Sequence, residues 1–403
     1  MGMVPDVQKL SPGLLVALAF FSSVAPFGID MYLPAMPTIT SELGTTPAVA
    51  QLTISGFMLG MALGNLVFGA ISDSTGRKSP IVAASAVFLA ASVLCAVAPG
   101  IWPLIAARFI QGLAAGCLEA VSRAVVPDVS RGKQAARAFS GLMALTGFVP
   151  AIAPIIGGTM LPVVGWRGVF WLLVVLNVVQ AVLAFRMPET LPQEQRSAGA
   201  LRSMFPRMWQ CLRRPAFVGY MLAGSLGFGA LFAYIAASPL VLQSQLGLGS
   251  TAYGLIFGGM ALLIPVSNTL NMRALRAKHP RSLLVGALLI DALVALILLA
   301  FSLTTPSLWA LPFFAVLSLM GGFVMANASA LAVEEVRDIG TGAGSGALGF
   351  CQFIIAAAMP PLVALGANHM LSMSLGTLAC AALAALAVLG LTTKREFEDA
   401  PAK

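Results

Sequence analysis

Apolar residues along this chain come in long blocks separated by short polar interruptions, so the unit of the pattern is a whole block and not a single alternating position. Twelve blocks lie at roughly 12–36, 48–71, 79–98, 102–126, 136–161, 166–185, 216–241, 251–272, 282–303, 307–333, 340–366 and 370–392. A helix rises about 1.5 Å per residue, so about 20 residues cross the hydrocarbon layer of a bilayer. A membrane β-strand would need about 10 residues with strict in–out alternation. The blocks therefore predict an all-α membrane protein with twelve transmembrane helices. The first block is read as a retained span. Ser23-Val24-Ala25 resembles a signal-peptide cleavage site, but the apolar run is long and the start offers only Lys9, balanced by Asp6.

Composition agrees with this reading: 59% of the residues are hydrophobic and 9% charged, where a soluble domain carries about 25% charged residues. A net charge of +8 would suit a polyanion-binding surface, but the charges sit where topology needs them. Arg77 and Lys78, then Arg131, Lys133 and Arg137, then Arg186, Arg196, Arg202, Arg207, Arg213 and Arg214, then Arg273, Arg276, Lys278 and Arg281, then Arg337 occupy alternate loops. The intervening loops hold only Arg167. Basic loops stay inside, so these loops and both termini are expected to be cytoplasmic, with no nucleic-acid partner.

The cysteines at 95, 117, 211, 351 and 380 are odd in number and fall mostly inside apolar blocks. They suggest neither a disulfide framework nor a metal site. Histidines 279 and 369 lie in loops or at a helix end, with no Ser/His/Asp grouping and no phosphate-cradling glycine loop. The expectation is a non-enzyme with no cofactor and no ATP-driven step.

The longest polar stretch, 186–215, holds Pro188, Pro192, Pro206, Pro215 and six arginines. It divides the chain into a six-helix bundle at 1–185, a cytoplasmic linker at 186–215, a second bundle at 216–392 and a cytoplasmic tail at 393–403. An internal echo supports the division: Ser72–Pro80 follows the second span of one half, and Arg273–Arg281 follows the second span of the other. Parallel repeats of this kind place the substrate site between the halves near the midplane. Gly56, Gly60 and Gly64 in span 2, and Gly342, Gly346 and Gly349 in span 11, are expected to let helices approach backbone to backbone.

Against this background the intramembrane charges stand out, because an ionisable group at that depth is costly unless it faces a cavity or a partner. Asp30 lies in span 1, about 9 Å below the outer end if the helix runs to Met36. Arg108, in span 4, lies at a similar depth, so the two could meet directly or through water and respond to protonation. A permanent structural pair is the other reading. Glu119 follows Arg108 by eleven residues, about 16 Å deeper and facing nearly the same way. Arg123 stands at ion-pair spacing from it, so Glu119 is either a second proton or substrate site or one half of a self-satisfied pair. Asp291 sits mid-span in block nine without an evident role. Phe228 and Phe232 in span 7, with Met58 in span 2, could form an adaptable apolar wall, although ordinary packing accounts for them too.

Several segments resemble those of a known family, the major facilitator superfamily, and within it the drug:proton antiporters of the Bcr/CflA (bicyclomycin and chloramphenicol resistance) type. Asp30-Met31-Tyr32-Leu33-Pro34-Ala35-Met36-Pro37 is similar to the helix 1 motif of those exporters. Gly69 to Lys78, with Asp73, Gly76 and Arg77, resembles the loop motif between helices 2 and 3. Arg108-Phe109-Ile110-Gln111-Gly112 resembles the helix 4 motif, and Gly147 to Gly158, with Pro150, Pro154 and Gly157, resembles the antiporter motif of helix 5. Pro150 and Pro154 each lack a backbone donor and are expected to bend that helix. Glu119 and Arg123 depart from the pattern, where small or neutral residues are usual.

The resemblance implies two six-helix bundles and a proton-coupled antiporter that exports small, largely apolar or cationic compounds from a bacterial cell by alternating access across the inner membrane. Proton coupling would fall to Asp30, Arg108 and Glu119. Substrate contacts would fall to Asp30, Met31, Tyr32, Met58, Gln111, Glu119, Phe228 and Phe232. The Asp73–Lys78 motif would gate the cytoplasmic side. The expected partners are a small-molecule substrate, protons and the lipid bilayer, with the protein a monomer. A narrow-specificity transporter of a metabolite such as a nucleoside or amino acid is the alternative.

Overall fold

The structure is a computed structural model that describes residues 11–392 apart from 131, 198, 305 and 306. Asp6, Lys9, Arg131 and the tail 393–403 lie outside the described residues. In chain order the helices are α1 (Pro12–Asp30), α2 (Met36–Glu42), α3 (Pro47–Thr75), α4 (Lys78–Ala96), α5 (Ile101–Val129), α6 (Gly132–Gly147), α7 (Val149–Arg186) and α8 (Ala200–Leu212). They continue as α9 (Pro215–Pro239), α10 (Ser250–Ala261), α11 (Leu263–Ala274), α12 (Pro280–Ser302), α13 (Leu311–Glu334), α14 (Thr341–Val363) and α15 (His369–Leu391). Among the described residues there is no strand.

Eleven helical segments of the described residues are long and apolar enough to cross a membrane, and one of them, Gly132–Arg186, runs for 55 residues. That segment contains blocks five and six. Gly165, at φ 67° and ψ 178°, breaks it between them. A side chain rarely adopts that left-handed backbone, so glycine marks the junction and the predicted twelve spans are recovered. Large apolar side chains such as Trp171, Phe185, Leu289 and Leu386 are exposed while Ser92, Gln111, Asn177 and Asn327 are buried. Such a distribution suits a protein whose outer solvent is hydrocarbon.

Three local expectations need correction. Span 1 does not run unbroken to Met36: α1 ends at Asp30, a 3-10 turn covers Leu33–Ala35, and α2 continues to Glu42. Pro34 and Pro37 lack the N–H that a continuous helix would need here. Pro150 does not bend a helix interior. It stands in the first turn of α7, where no backbone donor is required. A Cβ at Gly342 or Gly349 would meet nothing within 4 Å, so these glycines of span 11 do not mark a backbone-to-backbone contact.

The chain forms two compact units. One comprises residues up to Ser203 together with Ser238–Leu262, and the other comprises Met204–Ala237 and the residues from Leu263 on. In the first unit α3 and α5 pack closely along their length. A Cβ on Gly60 would press on the backbone of Phe109, Gly112 and Leu113, and one on Gly116 would press on Met61 and Asn65. Small residues thus allow these backbones to touch, as predicted for span 2. In the second unit, Phe217, Tyr220, Leu284, Leu288, Val324 and Leu331 form the centre of a buried cluster.

Candidate functional site

Arg108 is the buried cation around which the first unit's interior is arranged. Its guanidinium lies over Phe57 at 4.3 Å, over Tyr32 at 4.9 Å and over Phe170 at 5.9 Å from the ring centroids. Aromatic faces attract cations, the more so when water is absent. Nη1 donates to Gln111 Oε1 at 2.6 Å, and Gln111 Nε2 donates to Ser92 Oγ at 2.8 Å. Asn177 Nδ2 donates to the same hydroxyl at 3.0 Å, and Ser92 in turn donates to the Phe88 carbonyl at 2.8 Å. Arg108 Nε and Nη2 have no hydrogen-bond partner among the described residues. A buried donor left unmade is costly, so this guanidinium retains capacity for an anionic or carbonyl group.

The direct Asp30–Arg108 pair anticipated from depth is not formed, since the guanidinium's hydrogen bond goes to Gln111. Once α1 stops at Asp30, Tyr32 is the residue that reaches Arg108, and it is fixed by the 2.8 Å contact between its hydroxyl and Thr53 Oγ1. Asp30 is itself buried, as are Met31 and Met58. The structure therefore groups Tyr32, Arg108 and Gln111 in direct contact and adds Phe57, Phe170, Ser92 and Asn177. Sequence reasoning missed these four. Ser92 and Asn177 could have been sought as isolated polar residues inside apolar blocks.

The helix 5 motif meets the helix 1 motif here. A Cβ on Gly157 would stand 2.8 Å from the carbonyl carbon of Met31, so α7 crosses the chain directly after Asp30. Gly158 faces α10. Pro162 lacks the N–H that would normally bond the Gly158 carbonyl four residues earlier. The hydroxyls of Ser250 and Thr251 donate to that carbonyl instead, at 3.0 and 3.3 Å. Gly254 and Gly258 continue the close approach, against Pro154 and Ala151.

Glu119 and Arg123 do pair, at 2.5 Å through Oε1. Glu119 is largely buried and its Oε2 has no partner among the described residues, so the pair satisfies only half of the carboxylate. In the other unit, the Phe228 and Phe232 rings meet at a tilt, with centroids 4.8 Å apart, and Phe228 meets Phe353 edge to face at 5.9 Å. Asp291 is buried in α12 with Oδ1 unpartnered among the described residues.

The loop between α3 and α4 is tied down far more firmly than a surface ion pair. Arg77, 5% exposed, donates through Nη1 to Asp73 Oδ1 and Ser72 Oγ, both at 2.7 Å, and through Nε to Asp128 Oδ2 at 2.8 Å. Glu189, beyond α7, accepts from the backbone N–H groups of Arg77 at 2.8 Å and Lys78 at 3.3 Å, and from those of Thr190 and Leu191 at 2.9 and 3.0 Å. Burial acts to raise the Glu189 carboxyl, but the N–H groups of Leu191, Arg77, Lys78 and Thr190 outweigh it and hold the group below its ordinary value. Gly76, at φ 98°, brings the backbone to this carboxylate, and a Cβ there would stand 2.9 Å from Glu189 Cδ. Gly69 of the same motif makes only ordinary contact with Ala120. Asp128 and Glu189 went unassigned in the sequence because their partners lie 51 and 112 residues away.

The Major Facilitator Superfamily model matches residues 18–361. The uncharacterized MFS-type transporter YdgK of Bacillus subtilis (strain 168) is 30% identical over 386 residues, covering 95% of this chain and 96% of that protein. A bicyclomycin resistance protein homolog of Haemophilus influenzae is 28% identical, with 96% and 98% covered. A solved bacterial homolog of the human lysosomal transporter Spinster, inward-facing and unoccupied, shares the fold with a TM-score of 0.74 at 14% identity, over 94% of this chain and 95% of its own.

Proposed function

The chain belongs to the major facilitator superfamily, and from that premise we propose that this transporter is a proton-coupled antiporter exporting small, largely apolar or cationic compounds. The observation that carries the reading is Arg108, buried on three aromatic rings with two guanidinium nitrogens unpartnered and a buried carboxylate, Asp30, in the same unit. Such a cation is poised to receive an anionic group, and Asp30 is a buried carboxylate of the same unit that can gain or lose a proton. Asp30 would take the proton from the outer side and release it inside, and the change in charge would be coupled to substrate release and rebinding. The aromatic and methionine residues Tyr32, Met58, Phe228 and Phe232 supply walls that tolerate varied apolar ligands. The Haemophilus relative's name points in the same direction.

The basic loops support an orientation with both termini in the cytoplasm of a bacterial cell, in the inner membrane. The firmly held Asp73–Lys78 loop would serve as a cytoplasmic gate element, and one chain would complete the transport path. A second reading, a narrow-specificity transporter of a polar metabolite, draws support from the unpartnered Glu119 Oε2 and the polar chain Gln111–Ser92–Asn177. Purified protein in proteoliposomes, given an imposed pH gradient and a panel of chloramphenicol- and bicyclomycin-like compounds, nucleosides and amino acids, separates the two. Gradient-driven movement of several unrelated drugs supports export. Movement of a single metabolite, or of none of the drugs, contradicts it.

A further inference from the structure

Helix α8 lies between two membrane spans in the chain and carries an apolar face that the protein covers only in part. At 100° per residue, Leu201, Met204, Phe205, Met208, Trp209, Cys211 and Leu212 fall within about 160° of arc, with every polar residue of Arg202–Arg214 on the remainder. The apolar face is used in two different ways. Its Cys211 edge is buried in the second unit's core, with Met208 packed beside it. Its other edge is left outside, with Phe205 54%, Trp209 59% and Leu212 39% exposed.

By the same helical geometry Arg202 and Arg213 border this open edge, while Arg207 points nearly the opposite way. The Arg213 guanidinium lies 5.7 Å from the Trp209 ring. Among the described residues neither Arg202 nor Arg213 joins an ion pair, whereas Arg214 is taken by Asp338. From Gln195 to Phe217 the chain has five arginines and no acidic residue. The next span begins at Pro215, three residues after α8 ends at Leu212, so the chain keeps this edge close to the start of a span.

We propose that the Phe205–Trp209–Leu212 edge of α8 lies in the headgroup layer of the membrane, with Arg202 and Arg213 binding the phosphates of anionic phospholipids. Aromatic and aliphatic side chains bordered by arginine are what an interfacial helix presents to a charged lipid surface. The occupant is lipid and not soluble protein, because uncovered apolar area and an excess of positive charge, four arginines to the one carboxylate of Asp338, stand side by side next to a span. The inference needs only the membrane setting and is independent of what the protein transports.

The test uses the full chain in lipid nanodiscs, spin-labelled through Phe205→Cys or, on the polar face, Gln210→Cys. The relative accessibility of each label to oxygen and to a water-soluble nickel chelate is measured by paramagnetic resonance. In discs of phosphatidylcholine with phosphatidylglycerol, the label at 205 should favour oxygen and the label at 210 the chelate. In phosphatidylcholine alone, or with Arg202→Gln/Arg213→Gln, the embedded population should fall roughly tenfold or more, and Arg207→Gln should leave it unchanged. Equal chelate access at both positions in the anionic discs overturns the proposal. So does dipolar broadening between labels at 205, which would place a second copy there. Embedding that ignores lipid charge, or that Arg207→Gln weakens as much as the double substitution, overturns the assignment of the phosphates to Arg202 and Arg213.

Discussion

Exchanging Gly157 for alanine would insert a methyl group where α7 crosses the backbone of Met31. The new carbon would stand 2.8 Å from the Met31 carbonyl carbon and 3.1 Å from its Cα, where ordinary contact begins at 3.4 Å. The Met31 carbonyl oxygen would lie closer still, so the two backbones would have to part by more than about 0.6 Å, a gap that forfeits a quarter to a half of each adjoining dispersion contact. Overpacking of this kind costs about 1–3 kcal/mol, against a gain of at most about 0.5–1 kcal/mol from replacing glycine in a helix. Gly147, ten residues earlier in the same motif, provides the control: a Cβ there would meet nothing within 4 Å, so only the gain applies. Thermal unfolding of the purified protein in one detergent, with initial transport rates beside it, reads the difference. Gly147→Ala should melt at or slightly above wild type. Gly157→Ala should melt several degrees lower and transport more slowly, because the displaced segment adjoins Asp30. Equal melting points, or a less stable Gly147→Ala, would refute the argument that close backbone approach defines this motif.

Glu119→Gln should keep the fold, since the glutamine carbonyl can still accept from Arg123, whose half-exposed guanidinium also reaches solvent, yet change substrate preference or pH optimum. Wild-type transport restored in Glu119→Gln/Arg123→Gln would mean that the carboxylate only neutralises Arg123. Ser250→Ala/Thr251→Val leaves the Gly158 carbonyl without its substitute donors and should lower stability by about 0.6–1.7 kcal/mol in thermal unfolding; no change would remove their assigned role. Glu189 has a lowered folded value, so its stabilisation of the docked linker is complete above its ordinary 4.5 and is lost as pH falls through the lower folded value. Hydrogen exchange at Arg77, Lys78, Thr190 and Leu191 should therefore rise only in acid for wild type but already at neutral pH for Glu189→Gln, and unchanged protection in that variant would contradict the role.

The spans were legible because a bilayer imposes one demand, about 20 apolar residues per crossing, and the blocks meet it without help from tertiary structure. Close packing of span 2 was legible for a similar reason, since Gly56, Gly60 and Gly64 recur at the period of a helix face, although its partner α5 is known only from the fold. Depth could be counted, but direction could not. The break after Asp30 turns Tyr32 toward the guanidinium, which no count of rise along a continuous helix foresees. The same limit hid Ser250 and Thr251, whose role exists only because Pro162 frees a carbonyl on another helix. Asp128 and Glu189 are ordinary helix-end and linker acids until the fold brings Arg77 to them.

The central claim is that Asp30 carries the coupling proton. Its most direct test is substrate movement in proteoliposomes holding either wild type or Asp30→Asn, with and without an imposed pH gradient, at matched amounts of folded protein. Wild type should concentrate substrate against its gradient when protons flow the other way, and Asp30→Asn should retain at most downhill exchange that ignores the pH difference. Gradient-driven accumulation by Asp30→Asn at the wild-type level would contradict the account.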